Sequence, residues 1–397
     1  MQRVMNEGAL HRFRVIDLSQ VRAGPTCVKQ LADFGADVIK VEAPAAAKRG
    51  ELYVGARNGA DMQNLHRNKR SMTLDLKSTG GREVLMRLVA TADVVVENFR
   101  PDVKTRLGIG YQALRAINPR IILVSISGFG QDGPYQRRPG FDQIIQGMCG
   151  LMSTTGAPEG DPMRAGAAVV DVVAGLYAAL GALTALLERE SSGEGQWVRT
   201  SLLHAGIGLM DFQAARYLVD GTVAGRVGND HPTSMPTSAY PTSDGFLNVG
   251  AGGDSMWRSL CRAIGRPDLA DLPEFLSDPD RVRNREQLNE LLRSVFRTRS
   301  TAAWIEALDA QDVPCGPIYS MGQVFADEQV RHCGISSPVS HPERGPINLI
   351  SQVVDLARTP ARIETTLEEK GGSNLSLLQE LGFGPGEIEA LIAEGAI

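Results

Sequence analysis

The chain has 397 residues and a formal net charge of −5, with 43% hydrophobic and 22% charged residues. That is the composition of an ordinary soluble globular protein with room for two domains, and the acidic balance argues against nucleic acid as a partner. Five scattered cysteines and six isolated histidines give neither a disulfide framework nor metal-ligand spacing, and the N-terminus carries no apolar run or cleavage site, so a cytoplasmic location is expected.

The first 130 residues alternate strand and helix patterns. A short apolar strand at 15–18 precedes a helix over 25–34 and a second strand at 37–41. Residues 71–76 alternate with period two and 80–92 are amphipathic. A strand at 93–97 leads to helical segments at 101–107 and 111–117 and to a strand at 121–126. Such alternation predicts an α/β fold with a mostly parallel sheet covered on both faces. The turn after the first strand reads A-G-P, not G-x-G-x-x-G, and Glu42 stands alone where a ribose-binding acid would sit. A nicotinamide dinucleotide is therefore not expected.

Between Arg164 and Glu188 the chain runs 23 residues with one charged side chain, Asp171. An ionised carboxylate among Val, Ala and Leu is costly unless compensated, and it should titrate abnormally. Two readings stand beside each other: a catalytic acid, or a helix cap or core hydrogen bond. Val172, Leu176, Ala179, Leu183 and Leu186 recur at near-helical spacing, which predicts a long buried helix starting near Asp171, where the helix dipole favours an anion. The uncharged run of 16 residues falls short of the roughly 20 a membrane span needs, so no membrane is expected.

Beyond this helix, 221–238 is rich in Gly, Pro, Thr and Ser and reads as a linker. A strand at 246–250 and helices at 255–264, 284–296 and 301–310 form an α+β pattern, and a last helix covers 386–394. The expected organisation is a large domain beginning with 1–220, a linker at 221–238, a small α+β domain at 239–312, and a return to the large domain over 313–397.

Five segments could carry chemistry. V-R-A-G-P (21–25) puts Arg22 at the C-terminal end of the first strand, the usual ligand edge of an open α/β sheet, or simply on the surface beside a turn. N-K-R-S-M-T-L-D-L-K (68–77) brings Lys69, Arg70 and Lys77 to phosphate or to a solvated strand end. V-E-N-F-R-P-D-V-K-T-R-L-G (96–108) offers Asn98, the aromatic face of Phe99 and the Arg106 guanidinium. S-G-F-G-Q-D-G-P (127–134) is either a close-approach loop or a plain turn. G-A-G-G-D (250–254) is either a mobile flap or a strand-to-helix turn.

In this order, and together with G-A-D-V-I-K-V-E (35–42), G-D-P-M-R-A-G-A-A-V-V-D (160–171), T-S-L-L (200–203) and V-P-C-G-P-I (313–318), the chain resembles the family III CoA-transferases over nearly its whole length. The resemblance implies a Rossmann-like large domain with a smaller inserted domain, and an interlocked homodimer. It implies that Asp171 is the nucleophile and that Leu74, Lys77, Asn98, Phe99 and Arg106 contact CoA. Gly250, Gly252 and Gly253 would then form a flap over the acyl group. The substrates would be an acyl-CoA and a carboxylic acid, the CoA thioester being a substrate rather than a cofactor, with no metal. Arg22 replaces a glutamine of the formyl-CoA transferase-like relatives, so a small dicarboxylate is expected to pair with it; the alternative is an Arg22 turned outward to CoA phosphate. Two segments depart from the family: A-P-A-A-A-K-R-G (43–50), where Lys48 or Arg49 would substitute in contacting the nucleotide, and K-G-G-S-N (370–374). Two rival activities remain. One is an α-methylacyl-CoA racemase of the same fold, which needs a histidine where this chain has Phe141. The other is a non-catalytic acyl-CoA-binding protein.

Overall fold

A computed structural model describes residues 8–44 and 56–397. The chain divides into two compact units, the smaller comprising Met152–Met163 and Val223–His332 and the larger the rest. In the larger unit the order is β1 (Arg14–Asp17), α1 (Ala23–Asp33), β2 (Asp37–Glu42), α2 (Ala60–His66), β3 (Lys69–Thr73), α3 (Thr79–Thr91), β4 (Val94–Glu97), α4 (Pro101–Leu107), α5 (Tyr111–Ile117), β5 (Ile122–Ser127) and α6 (Asp142–Met148). After a short α7 (Leu151–Thr154), most of which belongs to the smaller unit, come the long α8 (Val169–Ser192), β6 (Trp197–Ser201), α9 (Leu202–Leu209) and α10 (Asp211–Asp220).

Six strands form one parallel sheet in the order β3-β2-β1-β4-β5-β6. The chain winds outward from β1 in both directions, so the boundary between β1 and β4 is a topological switch point. Alternation within each strand divides the core. Val15, Val38, Val94, Val96 and Val124 pack on one face with α1, α8 and α9, while Ile16, Ile39, Met72, Val95 and Leu123 pack on the other with α3 and the C-terminal helices.

The smaller unit holds β7 (Thr237–Pro241), β8 (Phe246–Gly250), α11 (Asp254–Ala263), α12 (Asp278–Arg283), α13 (Arg285–Phe296), α14 (Thr301–Asp309), β9 (Cys315–Pro317), α15 (Met321–Ala326) and α16 (Glu328–His332). Its sheet is β7-β8-β9, antiparallel throughout, over a core of Trp257, Trp304, Phe275, Phe296 and Tyr240. The return to the larger domain at 313 needs correction: Cys315 pairs with Val249, and the chain stays with this unit through His332. The hairpin β10 (Ser336–His341) and β11 (Gly345–Ile350) and helices α17 (Asn374–Glu380) and α18 (Pro385–Glu394) complete the larger unit.

Helix α8 also differs from expectation. Val172, Leu176 and Leu183, read from the sequence as a buried stripe, are exposed, as are Leu180 and Leu187. Ala179 and Leu186 of that stripe are buried, together with Val170, Ala174, Gly175, Ala178, Ala182 and Ala185. Small residues win that face because α8 lies tight against α1: a Cβ on Gly175 would stand 2.6 Å from the Ala23 oxygen and 2.7 Å from Thr26 Cβ. At 24 residues the helix is long and apolar enough to cross a membrane by length and composition, yet nine of its residues are packed inside the unit. The sequence argument from a 16-residue uncharged run therefore understated its length.

The segment at 370–374 has a structural role. Asn374 bonds both the Thr73 N–H (2.9 Å) and the Thr73 hydroxyl (2.7 Å), while the Ser373 N–H donates to the Ser71 oxygen and the Gly371 N–H to Ser71 Oγ. These bonds fasten the C-terminal helices to the open edge of β3, which would otherwise present unpaired main-chain groups. Lys48 and Arg49 lie outside the described residues.

Because the α1–α8 contact leaves no room for a methyl group, Gly175→Ala should destabilise the protein by about 1–3 kcal/mol through overpacking. Urea unfolding of the purified variant measures it, and an unchanged midpoint would mean that the helices can part freely.

Candidate active site

The A-G-P turn that opens α1 is tight for a visible reason. A Cβ on Gly24 would lie 2.2 Å from Ser19 Cβ, so only glycine lets the chain fold back on the end of β1. Val21 takes φ +63, a left-handed conformation costly for a β-branched residue. Across the switch point, Asn98 holds this strained loop in a two-way clasp: the Gln20 N–H donates to Asn98 Oδ1 (2.9 Å), and Asn98 Nδ2 donates to the Gln20 oxygen (2.7 Å).

Beneath the loop lies a buried polar layer. Asp17 at the end of β1 accepts the Ser19 N–H and hydroxyl and the Lys69 ammonium at 2.9 Å, both ends of the ion pair fully buried. Burial alone would raise the Asp17 carboxyl, but Lys69 and Lys40 together hold it below the usual carboxylate range. Lys69 therefore meets neither phosphate nor solvent. Arg70 is taken by Asp37 and Glu380, and Glu42 is bound bidentately by Arg57. Behind β4, Lys104 bonds Glu97 (3.2 Å), Ser125 and Gln131, and Glu97 accepts the Phe99 N–H.

A cavity of about 190 Å³ opens at the C-terminal edge of the sheet. Its walls come from the loop after β1 (Gln20, Arg22), the end of β4 (Asn98, Phe99), the end of β5 (Ser127, Gly128), Gly140 and Phe141 before α6, Asp171, and Leu202. Gly128 and Gly140 cross in backbone contact, since a Cβ on either would stand within 2.9 Å of the other's Cα. A larger cavity of about 440 Å³ elsewhere in this unit borders Asp33, Gln352 and Arg362. Its buried carboxylate is already committed, Asp33 accepting Arg67 at 2.6 and 2.9 Å.

Asp171 sits in the first turn of α8. The N-cap residue, Ala168, cannot cap, and a carboxylate from α6 does so instead: Asp142 Oδ1 accepts the N–H groups of Val170 (2.9 Å) and Asp171 (3.1 Å). Gln146 fixes that carboxylate at 2.6 Å and ties down the approach segment through the Ala165 N–H. The Asp171 carboxylate itself is half-buried and has no hydrogen-bond partner among the described residues. Burial, reinforced by the Asp142 charge and partly offset by the Arg22 guanidinium, pushes its carboxyl up to about 6. The result is a rigid, poorly solvated carboxylate that faces an open cavity.

Of the residues expected to act together, the structure brings Arg22, Asn98, Phe99 and Asp171 to one cavity. Leu74 is 2% exposed, so its side chain belongs to the core, while Lys77 and Arg106 are exposed and do not line this cavity. Gly250, Gly252 and Gly253 belong to the smaller unit. There the Gly250 and Ala251 N–H groups are bonded to the Pro314 and Pro236 oxygens, a Cβ on Gly252 would lie 2.0 Å from Ser234 Oγ, and Gly253 has φ +85. The fully buried Arg281 pins the start of α11 beside them through Asp254 at 2.9 Å. Sequence reasoning missed Gln20, Gly140, Asp142 and Gln146. The one available signal was the acid of F-D-Q-I-I-Q, which starts a helix but has nothing local to cap.

The family described as CoA-transferase family III matches residues 10–367. The chain belongs to that family. It is 36% identical to the succinate–glutarate CoA-transferase of Agrobacterium fabrum, over 94% of this chain and 95% of that one. It is 34% identical to the formyl-CoA:oxalate CoA-transferase of Streptomyces avermitilis, over 98% and 99%. The crystal structure of a CAIB/BAIF family protein from Brucella suis superposes with a TM-score of 0.81 at 33% identity, covering 94% of this chain and 99% of that one. As a family III CoA-transferase the chain is an enzyme.

An acid whose carboxyl is raised by folding is a stability cost once it ionises. The penalty is absent below the unfolded value near 3.8 and grows as the pH rises through about 6. Asp171→Asn should therefore stabilise the protein near pH 8 by about 1–2 kcal/mol, less than the ~3 kcal/mol of a fully desolvated shift of this size. The gain should fade toward pH 4. Paired urea titrations at the two pH values test this, and a gain independent of pH would point to a packing effect.

Proposed function

We propose that the enzyme moves CoA from an acyl-CoA thioester to a small dicarboxylic acid, with Asp171 as the nucleophile. The observation that carries this reading is the Asp171 carboxylate, half-buried, raised by burial and without a hydrogen-bond partner among the described residues, at the wall of a cavity. Its oxygen attacks the thioester carbonyl, giving a mixed anhydride and CoA thiolate. The thiolate attacks the aspartyl carbonyl and releases the first acid, leaving an aspartyl-CoA thioester. The acceptor carboxylate attacks that thioester, and the expelled thiolate then takes the new acyl group, regenerating Asp171. Fixing the carboxylate on a capped helix removes much of the orientational cost of these steps. Water has to be kept out, because each acyl intermediate hydrolyses readily.

In the same reading CoA runs along Asn98 and Phe99 toward Lys77 and Arg106, with Leu74 offering its main chain, and no metal or bound cofactor takes part. The distal carboxylate of the acid meets Arg22, the one cation that lines the cavity among the described residues. Names of the relatives support a diacid, since succinate, glutarate and oxalate each carry two carboxyl groups. The active form is a cytoplasmic homodimer, interlocked as the family resemblance implies. The exposed Leu176, Leu180, Leu183 and Leu187 along α8 support burial against a second copy. A racemase needs a second base opposite Asp171, and the cavity offers Phe141 there.

Asp171→Ala should leave a folded protein that transfers CoA about 10³-fold more slowly, the scale of losing a covalent route. Incubation of the wild type with acyl-CoA and hydroxylamine should tag the peptide that contains Asp171. Near-normal turnover by Asp171→Ala would sink the mechanism.

The acceptor class is read from Arg22. A panel of mono- and dicarboxylate acceptors should favour the diacids, and Arg22→Gln should remove most of that preference, on the order of tenfold for one charge-assisted pair. Equal use of both classes by the wild type would discard the diacid assignment.

A further inference from the structure

Arg22, at the cavity wall, already has a partner within the chain. Its Nη2 donates to Asp61 Oδ2 at 2.8 Å, and among the described residues no other side chain accepts from the guanidinium. The two ends of this pair are unequal. The Arg22 side chain is 31% exposed on a loop that Asn98 and Gly24 hold fast, whereas Asp61 stands in the first turn of α2 with 68% of its side chain in solvent. An ion pair with one partner so exposed is weakly held, worth about two- to fivefold in an affinity. The guanidinium keeps further N–H donors, and a carboxylate brought to it inside a cavity, where it binds through two bonds, is held more strongly.

We propose that Asp61 is a specificity-determining residue that occupies Arg22 while the cavity is empty and yields it to the distal carboxylate of the incoming diacid. The proposal rests on the diacid reading above. Asp61 then acts in two directions. Against a diacid it is a built-in competitor that weakens binding by the strength of the exposed pair. For an acid with a single carboxylate it keeps Arg22 neutralised, so that an uncharged acyl chain does not face a lone cation. The exchange makes the cavity serviceable to acids with a charged and with an uncharged distal end, at some loss of affinity for the first.

The test is Asp61→Asn, made in the full-length enzyme in both the wild-type and the Arg22→Gln background, with steady-state kinetics for glutarate and for butyrate. Because Asp61 is exposed, the substitution should not disturb folding. In the wild-type background KM for glutarate should fall about two- to fivefold, and the glutarate-to-butyrate ratio of kcat/KM should rise by at least that factor. In the Arg22→Gln background Asp61→Asn should leave the ratio unmoved. A glutarate KM that rises would mean that Asp61 orients Arg22 instead of competing for it, and one that does not change would mean that the pair is idle; either overturns the exchange. A ratio that moves equally in both backgrounds would show that Asp61 does not act through Arg22. The Arg22→Gln variant alone separates the two failures. Selectivity unchanged there removes the diacid reading and the exchange with it, whereas selectivity lost there with no response to Asp61→Asn removes the exchange alone.

Discussion

Helix α8 begins with a residue that cannot cap it, and the borrowed carboxylate of Asp142 fills that gap. A helix start leaves main-chain N–H groups without partners, and in a buried setting each costs on the order of 1–3 kcal/mol if unpaired. Asp142 satisfies two of them with one oxygen, and Gln146 fixes the carboxylate in turn. The same bonds tie α6 to α8 and set where Asp171 sits. The Asp142 charge raises the Asp171 carboxyl as well, so one side chain both positions that carboxylate and tunes it. The alanine face on α1 completes the support, since a helix that cannot roll or retreat holds its first turn still.

Charge compensation separates this site from the rest of the larger unit. Asp17 has Lys69, Asp33 has Arg67, Glu42 has Arg57 and Glu97 has Lys104, each at 3.2 Å or less. Taking such charges out of water costs several kcal/mol apiece, and only close pairing with further hydrogen bonds offsets it. Asp142 is held by N–H donors instead of a cation, and Asp171 has neither among the described residues: the nearby guanidinium of Arg22 offsets only part of its burial and bonds to Asp61. An unpaired carboxylate kept in place by neighbours that are all satisfied is the arrangement expected of a reactive group, because the surrounding structure supplies the stability that the group itself does not.

The strand order β3-β2-β1-β4-β5-β6 is that of dinucleotide-binding domains, yet the parts that hold a dinucleotide have other work here. Pro25 removes one N–H from the first helical turn, and Glu42 is neutralised by Arg57 and accepts the Ser71 hydroxyl. The fold retains the crevice at the switch point and fills it with a different chemistry, which is why function has to be argued from the site.

Local patterning was enough to read much of this protein from its sequence. Strand and helix periods located β1, β2, β4 and β5 and the α4 and α5 helices to within about two residues, because each buried face recurs at a fixed spacing. Asp171 stood out for the same reason, as one charge in a long apolar run. The strand at 71–76 was misplaced to the C-terminal side of its true span, because Lys69 and Arg70 looked like solvent residues and their partners Asp17, Asp37 and Glu380 lie far off in the chain. The apolar stripe of α8 was right at Ala179 and Leu186 and wrong at Val172, Leu176 and Leu183, since periodicity reports that a face is apolar and not what covers it. Asp142, Gln20, Gly140 and Asp61 became functional candidates only through contacts made by folding. The sequence by itself determined the elements, the odd carboxylate and the family; the tertiary structure decided what pairs with what, because hydrogen bonds and charges are settled by distances between residues that the chain order keeps apart.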